Sequence, residues 1–352
     1  MRLFPLPEYA IVFVATLFAV LVLTPLAILL ARKLGVVDRP SPQKFHTLPT
    51  PYLGGIAVLV AVLGGTLAPG SVRTESIVIV AAAGILAAIG AWDDWRTVHP
   101  VPKLLVQSMA AVALWVVGVR VTPFGLPVID FAITVFVVLA VVNSLNLLDN
   151  MDGLASGTAA IAAGFLFVIA FSQGQAFVAL LCAALTGACL GFLPYNLRSA
   201  RVFLGDAGTL SIGFLLATAA IKINLPHHSL LTRAAIPWLI LAVPLFDTSF
   251  VIASRLRGRR PVFQGATDHS SHRLVALGAT PHRAAMVTYF VGILGGGLAL
   301  AVYVLNNTEA TLAFVAAAVA VAALLGFLLE RVQLGVTGEL VEAGPVARSG
   351  VT

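Results

Sequence analysis

Residues 131–157 read FAITVFVVLAVVNSLNLLDNMDGLASG. The first twelve carry no charge; then come two amides, Asn143 and Asn146, two carboxylates, Asp149 and Asp152, and Gly153. An uncharged run of this kind predicts a helix over 128–147, inside hydrocarbon for most of its length. On that helix the polar residues recur every three positions, so Asn143, Asn146 and Asp149 share one face, with Asp152 beyond the helix end near Asn150 and Gly153. Leaving an ionised carboxylate there without a partner costs several kcal/mol. Interhelical hydrogen bonding would account for the asparagines alone. The carboxylates ask for a polar pocket.

The rest of the chain repeats the pattern. Of 352 residues, 59% are hydrophobic and 10% charged, against about a quarter charged in soluble domains. Apolar runs, most of about 17–23 residues, match the thickness of a bilayer core. They fall near 9–31, 53–69, 76–92, 103–121, 128–147, 155–172, 176–193, 207–224, 233–253, 284–305 and 311–329. The expectation is an all-α, polytopic integral membrane protein of about eleven transmembrane helices, one transmembrane domain over 1–330 and a frayed tail over 331–352. The first run is too long for a signal-peptide core and is expected to be retained. Cys182 and Cys189 share one apolar run and imply neither disulfide nor metal site.

With the loop after the first span placed inside, 16 basic residues lie inside and five outside. The amino terminus is therefore expected outside and the carboxyl terminus in the cytoplasm. The basic balance is read as this sorting, with no nucleic-acid partner. Acidic residues contribute little to such sorting, yet Asp38, Asp93, Asp94, Asp149, Asp152, Asp206, Asp247 and Asp268 all fall at or near inner helix ends or in inner loops. A cytoplasmic-face site is the economical explanation.

Three further stretches carry chemistry. AWDDWRTVHPVPK, residues 91–103, sets Asp93 beside Asp94, a pair that a cation or donor would stabilise, with Lys103 able to reach back; a solvated helix end and a snorkelling lysine are the ordinary alternatives. PYNLRSARVFLGDAGTLSIG, residues 194–213, holds Asp206 among glycines, either as a helix N-cap or as part of a metal or phosphate site. Mg²⁺ takes such oxygen ligands and keeps positions open for phosphates. RLRGRRPVFQGATDHSSHRLVALGATPHR, residues 255–283, offers an arginine cluster suited to a diphosphate or lipid headgroup, and His269 and His272 on one helix face. Asp247 of PLFDTSF sits about two turns inside the membrane.

Together these stretches, with DRPSPQKFHTLPTPYLGG at 38–55, resemble the polyprenyl-phosphate N-acetylhexosamine-1-phosphate transferases, in the family's motif order from about Leu34 to Leu277. The resemblance implies Mg²⁺-dependent transfer of a sugar 1-phosphate from a UDP-sugar to polyprenyl phosphate, with UMP released, Mn²⁺ as a substitute metal, a plasma-membrane location and a start to cell-wall or surface-glycan synthesis. It makes Asp206 the principal Mg²⁺ ligand, with Asp149 beside it, and Asp93 and Asp94 the paired catalytic aspartates. Asn146, Asp149, Asp152 and Asn196 would line the nucleotide and metal pocket; Lys44, His46 and Lys103 would meet nucleotide or phosphates; Arg255, Arg257, His269 and His272 would hold diphosphate and sugar. A homodimer is compatible with it. DNMDG stands where the family commonly has DGxDG, so Asn150 is expected to alter that loop. DHSSH in place of a triple histidine, with eleven spans rather than ten, favours the N-acetylglucosamine branch over phospho-N-acetylmuramoyl-pentapeptide transferase. The alternative from another class is a secondary transporter, which predicts repeated halves and midplane sites on broken helices.

Overall fold

A computed structural model describes residues 6–38, 49–67, 73–261 and 268–332. Within them the chain forms α1 (Leu6–Leu34), β1 (Val37–Asp38), β2 (Thr50–Pro51), α2 (Gly54–Leu67), α3 (Thr74–Trp95), α4 (Pro100–Val116), α5 (Pro127–Leu148), α6 (Leu154–Ser172) and α7 (Ala176–Asn196). Then follow α8 (Gly205–Lys222), α9 (Leu230–Ile240), α10 (Ala242–Arg257), α11 (Ser270–Ala276), α12 (Pro281–Leu305) and α13 (Thr308–Glu330). Local chemistry marks the starts. His99, Ser229, Thr280 and Asn307 each accept a first-turn backbone N–H, and prolines open α4, α5 and α12, where no N–H is needed.

This is an all-α membrane protein. Seven helices, α1, α3, α5, α6, α7, α12 and α13, are long and apolar enough to cross a bilayer, and α9 with α10, bent by 79° at Leu241, makes an eighth if the pair is one span. Every segment expected to span is helical over most of its described residues, and length and composition by themselves account for seven or eight of the eleven expected crossings. With 14 and 17 residues, α2 and α4 reach only about 21 and 26 Å, short of the roughly 30 Å core. The other shortfall is α8, which carries Asp206 at one end and Lys222 at the other.

Fifteen of the 18 residues of α8 are buried, so it forms the centre, with α2, α3, α5, α6 and α7 packed around it. By contrast α13 buries Thr311 alone. Lipid is as apolar as leucine, so helices associate through close packing of small residues. The sequence GACLG in α7 does this against α1: a Cβ on Gly187 would lie 2.2 Å from the Phe13 carbonyl oxygen, and one on Gly191 would lie 2.5 Å from that of Leu17. At one end of the bundle, β1 pairs antiparallel with β2, and the chain after β2 docks on the start of α8. Phe203 N–H donates to the Pro51 carbonyl, and Gly54 and Gly55 N–H donate to those of Phe203 and Leu204.

Gly191→Ala is expected to force α1 off α7 and destabilise the fold by about 1–3 kcal/mol, read as a lower unfolding midpoint in detergent. Gly164→Ala, whose new Cβ would meet only Thr186 at 4.0 Å, is the control and should leave the midpoint unchanged or raise it.

Candidate active site

The helix ends gathered at the β1–β2 side enclose a cavity of about 1290 Å³. Six aspartates line it: Asp38, Asp93, Asp94, Asp149, Asp152 and Asp206. Their partners set their roles.

Asp93 and Asp94 close α3 but face different neighbours. Asp94 accepts the backbone N–H groups of Asp206 at 2.8 Å and Ala207 at 3.2 Å, so it caps α8 from another helix, where Leu204 supplies no side-chain cap. Asp206 is thus not the N-cap of α8. Gly205 makes room for the arrangement: its φ is +69°, and a Cβ there would sit 2.5 Å from Asp94 Oδ2. Asp93 turns the other way. Its Oδ1 accepts Val98 N–H at 2.5 Å, and its Oδ2 accepts Lys103 Nζ at 2.8 Å.

Lys103 also donates to Asp206 Oδ2 at 3.0 Å, while Asn146 Nδ2 donates to Asp206 Oδ1 and to Thr209 Oγ1, both at 2.8 Å. The ends of α3, α4, α5 and α8 therefore meet in one chain, Asp93–Lys103–Asp206–Asn146. One turn deeper, buried Gln107 pairs with Asn143 through Asn143 Nδ2 to Gln107 Oε1 at 2.6 Å and a longer return bond, joining α4 to α5 below Lys103 and Asn146.

Asp149 ends α5, its N–H turned back to the Asn146 carbonyl. Burial, then the charges of Asp206 and Asp94, push its carboxyl up to about 8, so its ionised form calls for added positive charge. Asp152 accepts Ala200 N–H at 2.9 Å. Asn196 accepts Gly153 N–H at 2.8 Å and donates to the Val202 carbonyl at 3.0 Å. The left-handed residue of this turn is Gly153, φ +76°, and Asn150 is not among the positive-φ residues. Asn150 instead adds a link: its amide donates to the Leu147 carbonyl and accepts the Ser271 hydroxyl at 2.6 Å.

The arginine–histidine stretch divides. Arg255 is buried and makes a two-pronged bond to Asp268, at 3.0 and 2.8 Å. Arg257 pairs with Glu330. His269 bonds Asp247 at 2.7 Å, and Ser270 donates both its N–H and its hydroxyl to Asp247, so Asp247 secures the start of α11. Of these four expected ligands only His272 lines the cavity. Burial, then the His269 ring, push His272 down to about 4, leaving it neutral at neutral pH. Lys44 and His46 lie outside the described residues. The cavity's arginines are Arg32, Arg198 and Arg201, which charge counting had assigned to orientation alone. Neither α9 nor α10 contributes to the lining, so the bend at Leu241 is not where the polar cluster sits.

Among the described residues, no three carboxylate, imidazole or thiol groups form a ready metal cage. Asp149 and Asp206 still suit Mg²⁺, which is usually held by one or two carboxylates with water and substrate phosphates, and the excess of aspartates around a single lysine gives such a cation its electrostatic reason.

Residues 76–224 match the family model for glycosyl transferase family 4. The chain is 31% identical over 294 residues, 81% of this chain and 82% of the relative, to a Bacillus subtilis (strain 168) protein named "Probable undecaprenyl-phosphate N-acetylglucosaminyl 1-phosphate transferase". It is 30% identical to the decaprenyl-phosphate N-acetylglucosaminephosphotransferase of Mycobacterium tuberculosis (strain ATCC 25618 / H37Rv), over 90% of this chain and 88% of the relative. It is also 35% identical to a phospho-N-acetylmuramoyl-pentapeptide-transferase of Desulforudis audaxviator (strain MP104C), over 72% of this chain and 84% of the relative. The chain belongs to glycosyl transferase family 4, the polyprenyl-phosphate N-acetylhexosamine-1-phosphate transferases that its motifs resemble, and is a phosphoglycosyl transferase.

Lys103→Met leaves two half-buried carboxylates facing each other without their ammonium. Loss of one partner costs about 3–5 kcal/mol in a fully buried pair and about 0–1 kcal/mol in an exposed one, so for this half-buried group a drop in the unfolding midpoint in detergent between those limits is expected. Divalent cation should restore part of it.

Proposed function

We propose that this transferase moves N-acetylglucosamine 1-phosphate from a UDP-sugar to a polyprenyl phosphate and releases UMP, at the cytoplasmic face of the plasma membrane. The observation that carries this reading is the Asp93–Lys103–Asp206–Asn146 chain, whose two aspartates and asparagine line a cavity large enough for a nucleotide-sugar, open at the helix ends. Relatives named for N-acetylglucosamine transfer match 81–90% of the chain, which supports the choice of sugar.

The acceptor phosphate is largely ionised at neutral pH, its second pKa being near 6. Its oxygen attacks the β-phosphorus of the donor in line. A new P–O bond forms as the bond from that phosphorus to the bridging oxygen breaks, and UMP leaves with the bridging oxygen. No proton has to be removed from the nucleophile. Asp94 has both oxygens on the N-terminus of α8, and Asp93 has one on Val98 N–H and one on Lys103. Carboxylates so engaged are poor nucleophiles, which favours one displacement over a phospho-aspartate intermediate. Their work is to place Lys103 and the start of α8. Mg²⁺, taken by Asp149 and Asp206, would neutralise diphosphate charge.

The gathering of helix ends supports the full topology. Gly54 begins α2 at the cavity side and Asp93–Asp94 end α3 there, so α2 has to carry the chain across and α3 to return it. The same reasoning applies to α4 with α5, and to α8 with the bent pair α9–α10, after which α11 brings His272 to the cavity. With α2, α4 and α8 added, the crossings number eleven, and the count of basic residues sets the amino terminus outside and the cavity in the cytoplasm.

Phospho-N-acetylmuramoyl-pentapeptide transfer is the second reading, favoured by the relative at 35% identity. Incubating the purified enzyme with polyprenyl phosphate and each UDP-sugar decides. UMP release is expected from UDP-N-acetylglucosamine, with Mg²⁺, and Asp206→Ala should lower it by at least about 10²-fold. Release without divalent metal, or an unaffected Asp206→Ala, would overturn the assignment; release from the muramoyl-pentapeptide donor alone would transfer it to the second reading.

A further inference from the structure

We infer that Arg198 and Arg201, on the loop between α7 and α8, bind the phosphate of an anionic substrate; this rests on the reading of the cavity as a phosphoglycosyl transfer site. An anionic substrate entering a cavity lined by six aspartates has to find positive charge there. Lys103 is shared between Asp93 and Asp206, Arg255 is held by Asp268 and Arg257 by Glu330. Arg32, at the end of α1, and Arg198 and Arg201 are exposed, line the cavity and pair with no carboxylate among the described residues, and of these only Arg198 and Arg201 stand together on one loop.

Membrane sorting explains why arginines lie on this side of the bilayer, but not how this loop is built. Four consecutive residues have their backbone fixed. Asp152 takes Ala200 N–H at 2.9 Å, the Tyr195 carbonyl takes Arg201 N–H at 2.9 Å, Asn196 donates to the Val202 carbonyl at 3.0 Å, and the Pro51 carbonyl takes Phe203 N–H at 2.8 Å. Just before them Ser199 is held at φ +52°, a conformation a residue other than glycine keeps only when its surroundings impose it. A loop serving topology alone has no need of such fixing. A loop that presents two guanidinium groups to a phosphate does, because the planar donor fork gains most when its direction is set in advance. Asp152 is then a positioning residue for the arginines, acting through the Ala200 N–H.

The phosphate belongs either to the nucleoside diphosphate or to the lipid monophosphate, and binding measurements on the full-length protein in detergent separate the two. Titration with UDP and with undecaprenyl phosphate should show the dissociation constant of one of them rising roughly tenfold in Arg198→Ala and in Arg201→Ala, the scale of one charged hydrogen bond. The double variant should lose more, Arg→Lys should recover part, and Asp152→Ala should weaken the same ligand. Arg120→Ala, which removes a cation stacked on Trp115 outside the cavity lining, should change neither. Affinities for both UDP and undecaprenyl phosphate equal to wild type in the double variant would overturn the inference. Failure of the wild type to transfer sugar phosphate while these affinities respond as stated would count against the proposed reaction and leave the phosphate site standing.

Discussion

One ammonium group shared by two carboxylates from different helices fixes the working end of this protein. Asp93 on α3 and Asp206 on α8 would each be an unpaired charge at the mouth of an oily bundle, and Lys103 on α4 answers both. Because Asn146 on α5 takes the other oxygen of Asp206, displacing any one of the four helices breaks a charge-assisted bond. Below them the constraint is steric. Small residues let backbones approach until van der Waals contact decides the spacing, as Gly187 and Gly191 do between α7 and α1.

The adjacent aspartates illustrate how neighbours in sequence part company in space. Successive helix positions point about 100° apart, so Asp93 reaches α4 while Asp94 turns onto the start of α8. The first keeps the lysine in place; the second answers the unpaired N–H groups of a helix whose own preceding residue, Leu204, has nothing to offer. Asp149 and Asp152 are also divided: one has its charge opposed by burial and by its neighbours, the other fixes the turn that leads into α8. Residue type alone would have given all four the same part.

The long helices were legible because hydrocarbon demands unbroken apolar runs; the N-cap that Asp206 offers in the sequence is supplied instead by Asp94, from another helix. Of the candidate site, the positions facing the cavity through helical periodicity were legible too: Asn146 and Asp149 follow from spacing within a helix, and Lys103 from its place just past the prolines that open α4. What spacing does not give is the partner across the fold. Arg255 and Arg257 look like phosphate ligands in the sequence, yet Asp268 lies 13 residues from the first and Glu330 73 from the second, and each takes its arginine. Arg198 and Arg201 looked like orienting charge because cavity walls are a tertiary property. Asn150 does not redirect its turn: the left-handed residue is Gly153, and the asparagine ties the turn to α11 instead. The GACLG pair in α7 carried a packing signal that hydropathy, which sums over side chains, does not register.

These placements follow one gradient. A cation drawn into low dielectric costs more to leave unpaired the deeper it lies, so Arg255, buried to 4% exposure, needs its carboxylate and is held for structure. Lys103 lies between these extremes and is shared. At the rim the requirement lapses, and Arg198 and Arg201 keep their charge in water with no carboxylate partner among the described residues. A ligand phosphate comes from water with its own hydration to lose, so it is better met first at the rim, where both groups are still solvated. Further in, the aspartates repel it until cationic charge stands between them. Exposed arginines at the mouth and an acidic interior are thus complementary parts of one electrostatic arrangement, which favours an anion that arrives with counter-charge.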